Sequence, residues 1–142
     1  IINQIKLLIK NKIPVMGHLG LLPQTTKGKF KSKGKTSREI NQLINDASLL
    51  QKSGVFAIVL ECIKENVARQ ITKDLKIPTI GIGSSVYCDG QVLVTDDLIG
   101  LNKSNIRFVK RYLNVKKYIS TGLKRFALEV RSKKYPTKKY SY

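Results

Sequence analysis

A chain of 142 residues that is 42% hydrophobic has material for one modest core and not for two. Its 27 Lys and Arg against 9 Asp and Glu give a formal charge of +18, enough to attract any polyanion without sequence preference. No run approaches the roughly 18 apolar residues of a membrane span, and the two cysteines, Cys62 and Cys88, lack the spacing of a zinc knuckle, a redox pair or a disulfide framework.

The basic residues are mostly Lys, dispersed along the chain among abundant Ile and Asn. That pattern fits A- and T-rich coding better than a selected nucleic-acid surface, so no specific nucleic-acid partner is expected. No secretory leader is legible, and the reduced thiols fit a cytoplasmic protein. Ile1 stands where a Met would begin a whole polypeptide, so the expectation is a part of something longer.

In chain order, Ile2, Ile5, Leu8 and Ile9 recur at helical spacing. Pro14 then opens a short strand at Val15 and Met16, with Gly17, His18, Leu19 and Gly20 expected as a glycine-rich loop. Residues 25–36 are polar and Lys-rich and are expected as a loop. Ser37 is the expected N-cap of a helix whose apolar face is Ile40, Leu43, Ile44, Ala47 and Leu50, stopping before Gly54. The unbroken apolar run of residues 55–60 predicts a strand buried on both faces. Val67, Ile71 and Leu75 predict a helix, and residues 77–82 a further strand. Val92, Leu93 and Val94 predict a fourth strand after a Cys88-Asp89-Gly90 turn. Helices are expected over 108–112 and 119–130, and residues 132–142 as an extended C-terminal tail.

Apolar strands alternating with helices through short connections predict parallel β/α units. A barrel of eight such units takes roughly 250 residues, and about four are present, so the fold class is α/β: half of a (β/α)8 TIM-type barrel over residues 1–131, followed by the tail. A doubly wound sheet would carry GxGxxG after its first strand, which Gly17-His18-Leu19-Gly20 is not. Half a barrel leaves two unpaired strand edges and lacks the opposite wall, so a partner is expected.

Reacting groups in parallel barrels lie at the C-terminal ends of the strands. The candidates there are Gly17-His18, Glu61, Gly83-Ser84 and Thr95-Asp96-Asp97. Glu61 follows six apolar residues; poor hydration makes such a carboxylate a candidate proton acceptor, the alternative being a pair with a loop Lys. His18, the single histidine, is either catalytic or structural. Asp96 and Asp97 read as helix caps rather than metal ligands. Gly28 and Gly34-Lys35-Thr36 have the wrong spacing for a P-loop and no preceding strand.

Taken together, the segments Pro14-Val15-Met16-Gly17-His18-Leu19-Gly20-Leu21, Pro23-Gln24, Gly34-Lys35-Thr36, Phe56-Ala57-Ile58-Val59-Leu60-Glu61-Cys62, Ile77-Pro78-Thr79-Ile80-Gly81-Ile82-Gly83, Cys88-Asp89-Gly90-Gln91-Val92-Leu93-Val94 and Phe108-Val109-Lys110-Arg111-Tyr112 resemble the ketopantoate hydroxymethyltransferase family. They stand in the order of that family's C-terminal half. The resemblance implies a (β/α)8 barrel that moves a one-carbon unit from 5,10-methylenetetrahydrofolate to 3-methyl-2-oxobutanoate, giving 2-dehydropantoate for pantothenate synthesis. It implies Mg2+, which chelates the keto acid and stabilises its enolate. It implies Glu61 as the proton acceptor, with His18, Gly83 and Ser84 as substrate-pocket candidates. No segment matches the family's metal-binding aspartates or its substrate lysine, so no metal site is expected in this chain, which alone should be inactive. The partners implied are the N-terminal half of the barrel, the keto acid and folate, in a homo-oligomer without membrane contact.

Three departures from the family pattern are visible: a shorter stretch between Gln24 and Gly34, Ser85 in place of a glycine, and Lys64 in place of a proline. The competing readings are a basic, non-catalytic half-barrel that binds RNA or protein, and a related keto-acid carbon-carbon lyase.

Overall fold

The computed structural model describes residues 1–22, 31–103 and 106–142. These divide into two compact units, Ile1–Val92 and Leu93–Tyr142. The first contains helix α1 (Ile2–Lys10), strand β1 (Met16–Gly20), helix α2 (Ser37–Lys52), strand β2 (Ala57–Glu61), helix α3 (Glu65–Asp74) and strands β3 (Thr79–Ile82) and β4 (Gly90–Gln91). The second contains helices α4 (Thr95–Leu98) and α5 (Val115–Arg131) and a 3-10 turn, Lys138–Tyr140.

All four strands are parallel, and they lie side by side in chain order. A doubly wound sheet reverses its strand order at a switch point. The uninterrupted progression here, with a helix between successive long strands, is half of a TIM-type barrel. The register explains the burial. Gly17 and Leu19 lie beside Ile58 and Leu60, which lie beside Thr79 and Gly81. Ile58 and Leu60 on that face join one cluster with Ile5 of α1, Leu43, Ala47 and Leu50 of α2, and Val67, Ala68 and Ile71 of α3. The opposite face carries Met16, His18, Val59, Ile80 and Ile82, none of which belongs to the core cluster. Met16 is 45% exposed, and Val59, Ile80 and Ile82 are half-buried. On β2 itself Ala57 and Glu61 of this face are buried and Val59 alone is half-buried, so the expectation that the second strand is buried on both faces holds except at Val59.

Several expected boundaries move. Strand β1 continues through Gly20 instead of breaking at Gly17, because the missing Cβ at Gly17 is what admits Leu50 and Ile58; a methyl there would stand 3.1 and 3.3 Å from them. Strand β4 is two residues long and precedes the predicted Val92, Leu93 and Val94. Gly81 and Gly90 let it approach β3, since a Cβ on Gly81 would lie 2.8 Å from the Gln91 amide and one on Gly90 2.9 Å from Ile80. Residues 108–112 are turn and coil rather than helix. The tail is not an extended arm: it contains the 3-10 turn and a cis Tyr135-Pro136 bond, and Tyr135 packs edge-on against Phe126 with centroids 5.4 Å apart. Residues 25–30 of the expected loop, Pro23-Gln24 and Gly28 lie outside the described residues.

The cap of α2 falls one residue earlier than expected. The Glu39 N–H donates to Oγ1 of Thr36 at 3.2 Å, and the Glu39 carboxylate accepts the backbone N–H groups of Lys35 at 2.8 Å and Gly34 at 3.1 Å. This is a reciprocal cap on otherwise unsatisfied donors. The Lys35 N–H above all holds the Glu39 carboxyl below its ordinary value, overcoming the opposing effect of lost hydration; the Gly34 and Thr36 N–H groups and the Lys33 charge act in the same direction. A carboxyl whose value is lowered by folding stabilises the fold at neutral pH and loses that contribution as pH falls through the lowered value. Urea unfolding of the chain is therefore expected to show a steeper acid loss of stability than that of Glu39→Gln. Equal acid sensitivity would dissociate Glu39 from the fold.

Candidate active site

The C-terminal ends of β1, β2 and β3 are tied to one another by backbone and hydroxyl groups. The Leu21 N–H donates to the Glu61 carbonyl at 2.9 Å, and the Cys62 N–H donates to the Ile82 carbonyl at 2.9 Å. Ser84 closes the set: its hydroxyl donates to the Leu60 carbonyl at 2.7 Å and accepts the Ile63 N–H at 3.1 Å. Cys62 adopts φ +52°, a left-handed conformation unusual for a residue with a side chain. It turns the chain so that its carbonyl accepts the Lys33 N–H at 2.8 Å. Its thiol is raised above the ordinary cysteine value, first by burial and then by the Glu61 charge, which keeps it protonated and unreactive.

Glu61 is the last residue of β2 and is 8% exposed. Its register partner on β1 is Gly20, and His18 lies two residues back on the same face. Alternation along both strands thus points the imidazole and the carboxylate to one side. His18 Nε2 stands 3.0 Å from Glu61 Oε2. The two atoms approach closely, but the ring N–H direction lies outside the angular range of a hydrogen bond, and Nε2 is buried without an aligned partner. Each of the two residues is legible by itself in the sequence, whereas their pairing depends on which residue of β1 lies beside which residue of β2.

The other candidates are held by contacts of their own. Ser84 spends its hydroxyl on the two backbone contacts just described, and Gly83, with φ +62°, makes the turn that delivers it. Asp96 and Asp97 do not cap α4, whose N-cap is Val94; both sit in its first turn. Asp97 is buried and accepts the Asn102 side-chain amide at 3.2 Å. Ser85, the departure from the family pattern, is buried and donates to Glu65 at 3.3 Å while accepting the Tyr87 N–H. Among the described residues no group of three or more His, Cys, Asp or Glu comes together to hold a metal ion. Cys62 and Cys88 are free and buried.

The model of ketopantoate hydroxymethyltransferase matches residues 1–138. The chain belongs to the ketopantoate hydroxymethyltransferase family. Among curated relatives, the 3-methyl-2-oxobutanoate hydroxymethyltransferase of Pelagibacter ubique (strain HTCC1062) is 58% identical over 142 residues, covering 100% of this chain and 55% of the relative. The protein of the same name from Clostridioides difficile (strain 630) is 43% identical over 145 residues, covering 100% of this chain and 53% of its own length. That of Kosmotoga olearia is 47% identical over 135 residues, covering 93% and 51% respectively. The chain spans about half the length of these ketopantoate hydroxymethyltransferases.

Proposed function

We propose that this chain is the C-terminal half of an enzyme that transfers a hydroxymethyl group from 5,10-methylenetetrahydrofolate to 3-methyl-2-oxobutanoate, giving 2-dehydropantoate, with Glu61 as proton acceptor. The observation that carries the reading is a buried carboxylate at the C-terminal end of β2, in a chain matched along residues 1–138 by the family model. The acceptor removes the C3 proton of the keto acid; the C–H electron pair passes into the enolate, which attacks the one-carbon unit. Burial suits this role, because a poorly hydrated carboxylate need not shed a water shell before it meets a carbon acid.

Among the described residues no three His, Cys, Asp or Glu side chains come together. In this reading any magnesium ligands, and the substrate lysine, come from the N-terminal half. That half would pair with the edges of β1 and β4 and cover the face of Met16, Val59, Ile80 and Ile82, on which Met16 is 45% exposed. Completion of the barrel in this way, assembly into a homo-oligomer and a cytoplasmic location belong to the same proposal.

The test is complementation. Mixed or fused with the N-terminal half of the Pelagibacter ubique relative, this chain is expected to form 2-dehydropantoate, while neither part does so alone. By calorimetry the isolated chain is expected to bind magnesium and 3-methyl-2-oxobutanoate weakly. Tight binding of both by the isolated chain, or no product from the completed barrel, would overturn the proposal.

A further inference from the structure

We infer that His18 is a positioning residue for Glu61, one that engages a single carboxylate oxygen and leaves the other to take the substrate proton. The inference rests on the proposed role of Glu61 and goes beyond it by dividing the work of its two oxygens. Three observations carry it. Strand register puts His18 beside Val59, two residues before Glu61, on the same face. Nε2 lies 3.0 Å from Oε2, and Nε2 itself is buried although the side chain as a whole is 34% exposed. No other hydrogen bond or ion pair to either side chain occurs among the described residues.

The chemistry follows from the inventory of an imidazole. A ring nitrogen is either a lone pair or an N–H. A lone pair held 3.0 Å from a carboxylate oxygen would add repulsion to the cost of burying an unpaired polar atom. An N–H in that place is attracted, and a small rotation of either side chain aligns it. Nε2 therefore carries the proton and donates toward Oε2. With Oε2 engaged, Oε1 accepts the C3 proton: the C3–H bond breaks, an O–H bond forms at Oε1, and the electron pair enters the enolate. The His18 proton stays on Nε2 throughout. Because Nε2 is enclosed against Glu61, its contribution is to the orientation of the base rather than to contact with the keto acid.

The experiment uses the barrel completed with the N-terminal half of the Pelagibacter ubique relative and reads deuterium exchange at C3 of 3-methyl-2-oxobutanoate in heavy water. His18→Leu is expected to lower kcat for exchange roughly a hundredfold, the cost of a misplaced reacting group, while KM for the keto acid stays within about twofold. His18→Gln, which keeps an N–H donor, is expected to recover most of the loss. A raised KM with unchanged kcat would make His18 a substrate contact, and a Gln variant no better than Leu would remove the N–H from the argument; either overturns the inference. If Glu61→Gln keeps full exchange, the base assignment itself fails, which is a separate result. A second measurement does not depend on activity. His18 is the single histidine, so long-range proton–nitrogen correlation of the 142-residue chain reads its ring directly. Glu61→Gln is expected to shift Nε2 more than Nδ1; an unmoved Nε2 overturns the contact.

Discussion

In the completed barrel, Glu61→Gln is expected to lower C3 proton exchange by roughly three orders of magnitude while leaving the fold intact, a loss within the range for removing a general base. The amide has the shape of the carboxylate, and its carbonyl oxygen leaves an acceptor beside His18 Nε2, where the carboxylate oxygen lies at 3.0 Å. The backbone ties are indifferent to the change: the Glu61 carbonyl continues to accept the Leu21 N–H, and Leu60 continues to accept the Ser84 hydroxyl. What is lost is the basic oxygen. Circular dichroism and urea midpoints of the variant should match the parent, because the carboxylate has no other ion-pair partner among the described residues whose loss would be felt. Full exchange in a folded variant would remove Glu61 from the mechanism.

Gly20→Ala is expected to be the most damaging small substitution in the chain, costing about 3 kcal/mol or more in urea unfolding. Two causes add. Gly20 has φ +99°, where any Cβ is strained, a cost of roughly 1–2 kcal/mol. The added methyl would also overlap the Glu61 carbonyl oxygen and stand 2.7 Å from Cγ1 of Ile63, and overpacking of this kind costs about 1–3 kcal/mol. Backbone, unlike the end of a long side chain, cannot swing aside. Relief would require β1 and β2 to part where Leu21 bonds to Glu61, which displaces the carboxylate as well. A variant as stable as the parent would mean that this strand end is looser than its contacts indicate. Gly17→Ala is a useful contrast, since its added methyl meets only the side chains of Leu50 and Ile58 and the more distant Ala57 carbonyl at 3.7 Å.

Much of this architecture is legible without coordinates because apolar patterning is local. The stripe of Leu43, Ala47 and Leu50 and that of Val67 and Ile71 are the buried faces of α2 and α3. The apolar run before Glu61 is β2. Local chemistry misleads where tertiary contact outweighs it. Gly17 and Gly20 read as loop residues, yet they lie in a strand because close neighbours on β2 and α2 require the absence of a side chain. Val92, Leu93 and Val94 have the composition of a strand but follow β4, because the pairing with β3 is made where Gly90 lies beside Ile80 and Gly81 beside Gln91. Likewise Thr36 rather than Ser37 caps α2, a choice made by the turn through Gly34 and Lys35.

Residue order and periodicity alone therefore specify parallel β/α units, half a barrel's worth of them, and the placing of Glu61 at a strand end. Those properties arise from hydrophobic burial at a fixed helical or strand period, which each segment carries in itself. The meeting of His18 with Glu61, the commitment of Ser84 to two backbone groups, and the left-handed turn at Cys62 are decided only when three strands lie in one register. Register is a property of pairs of segments distant in sequence, and a shift by one residue would turn His18 to the helix side.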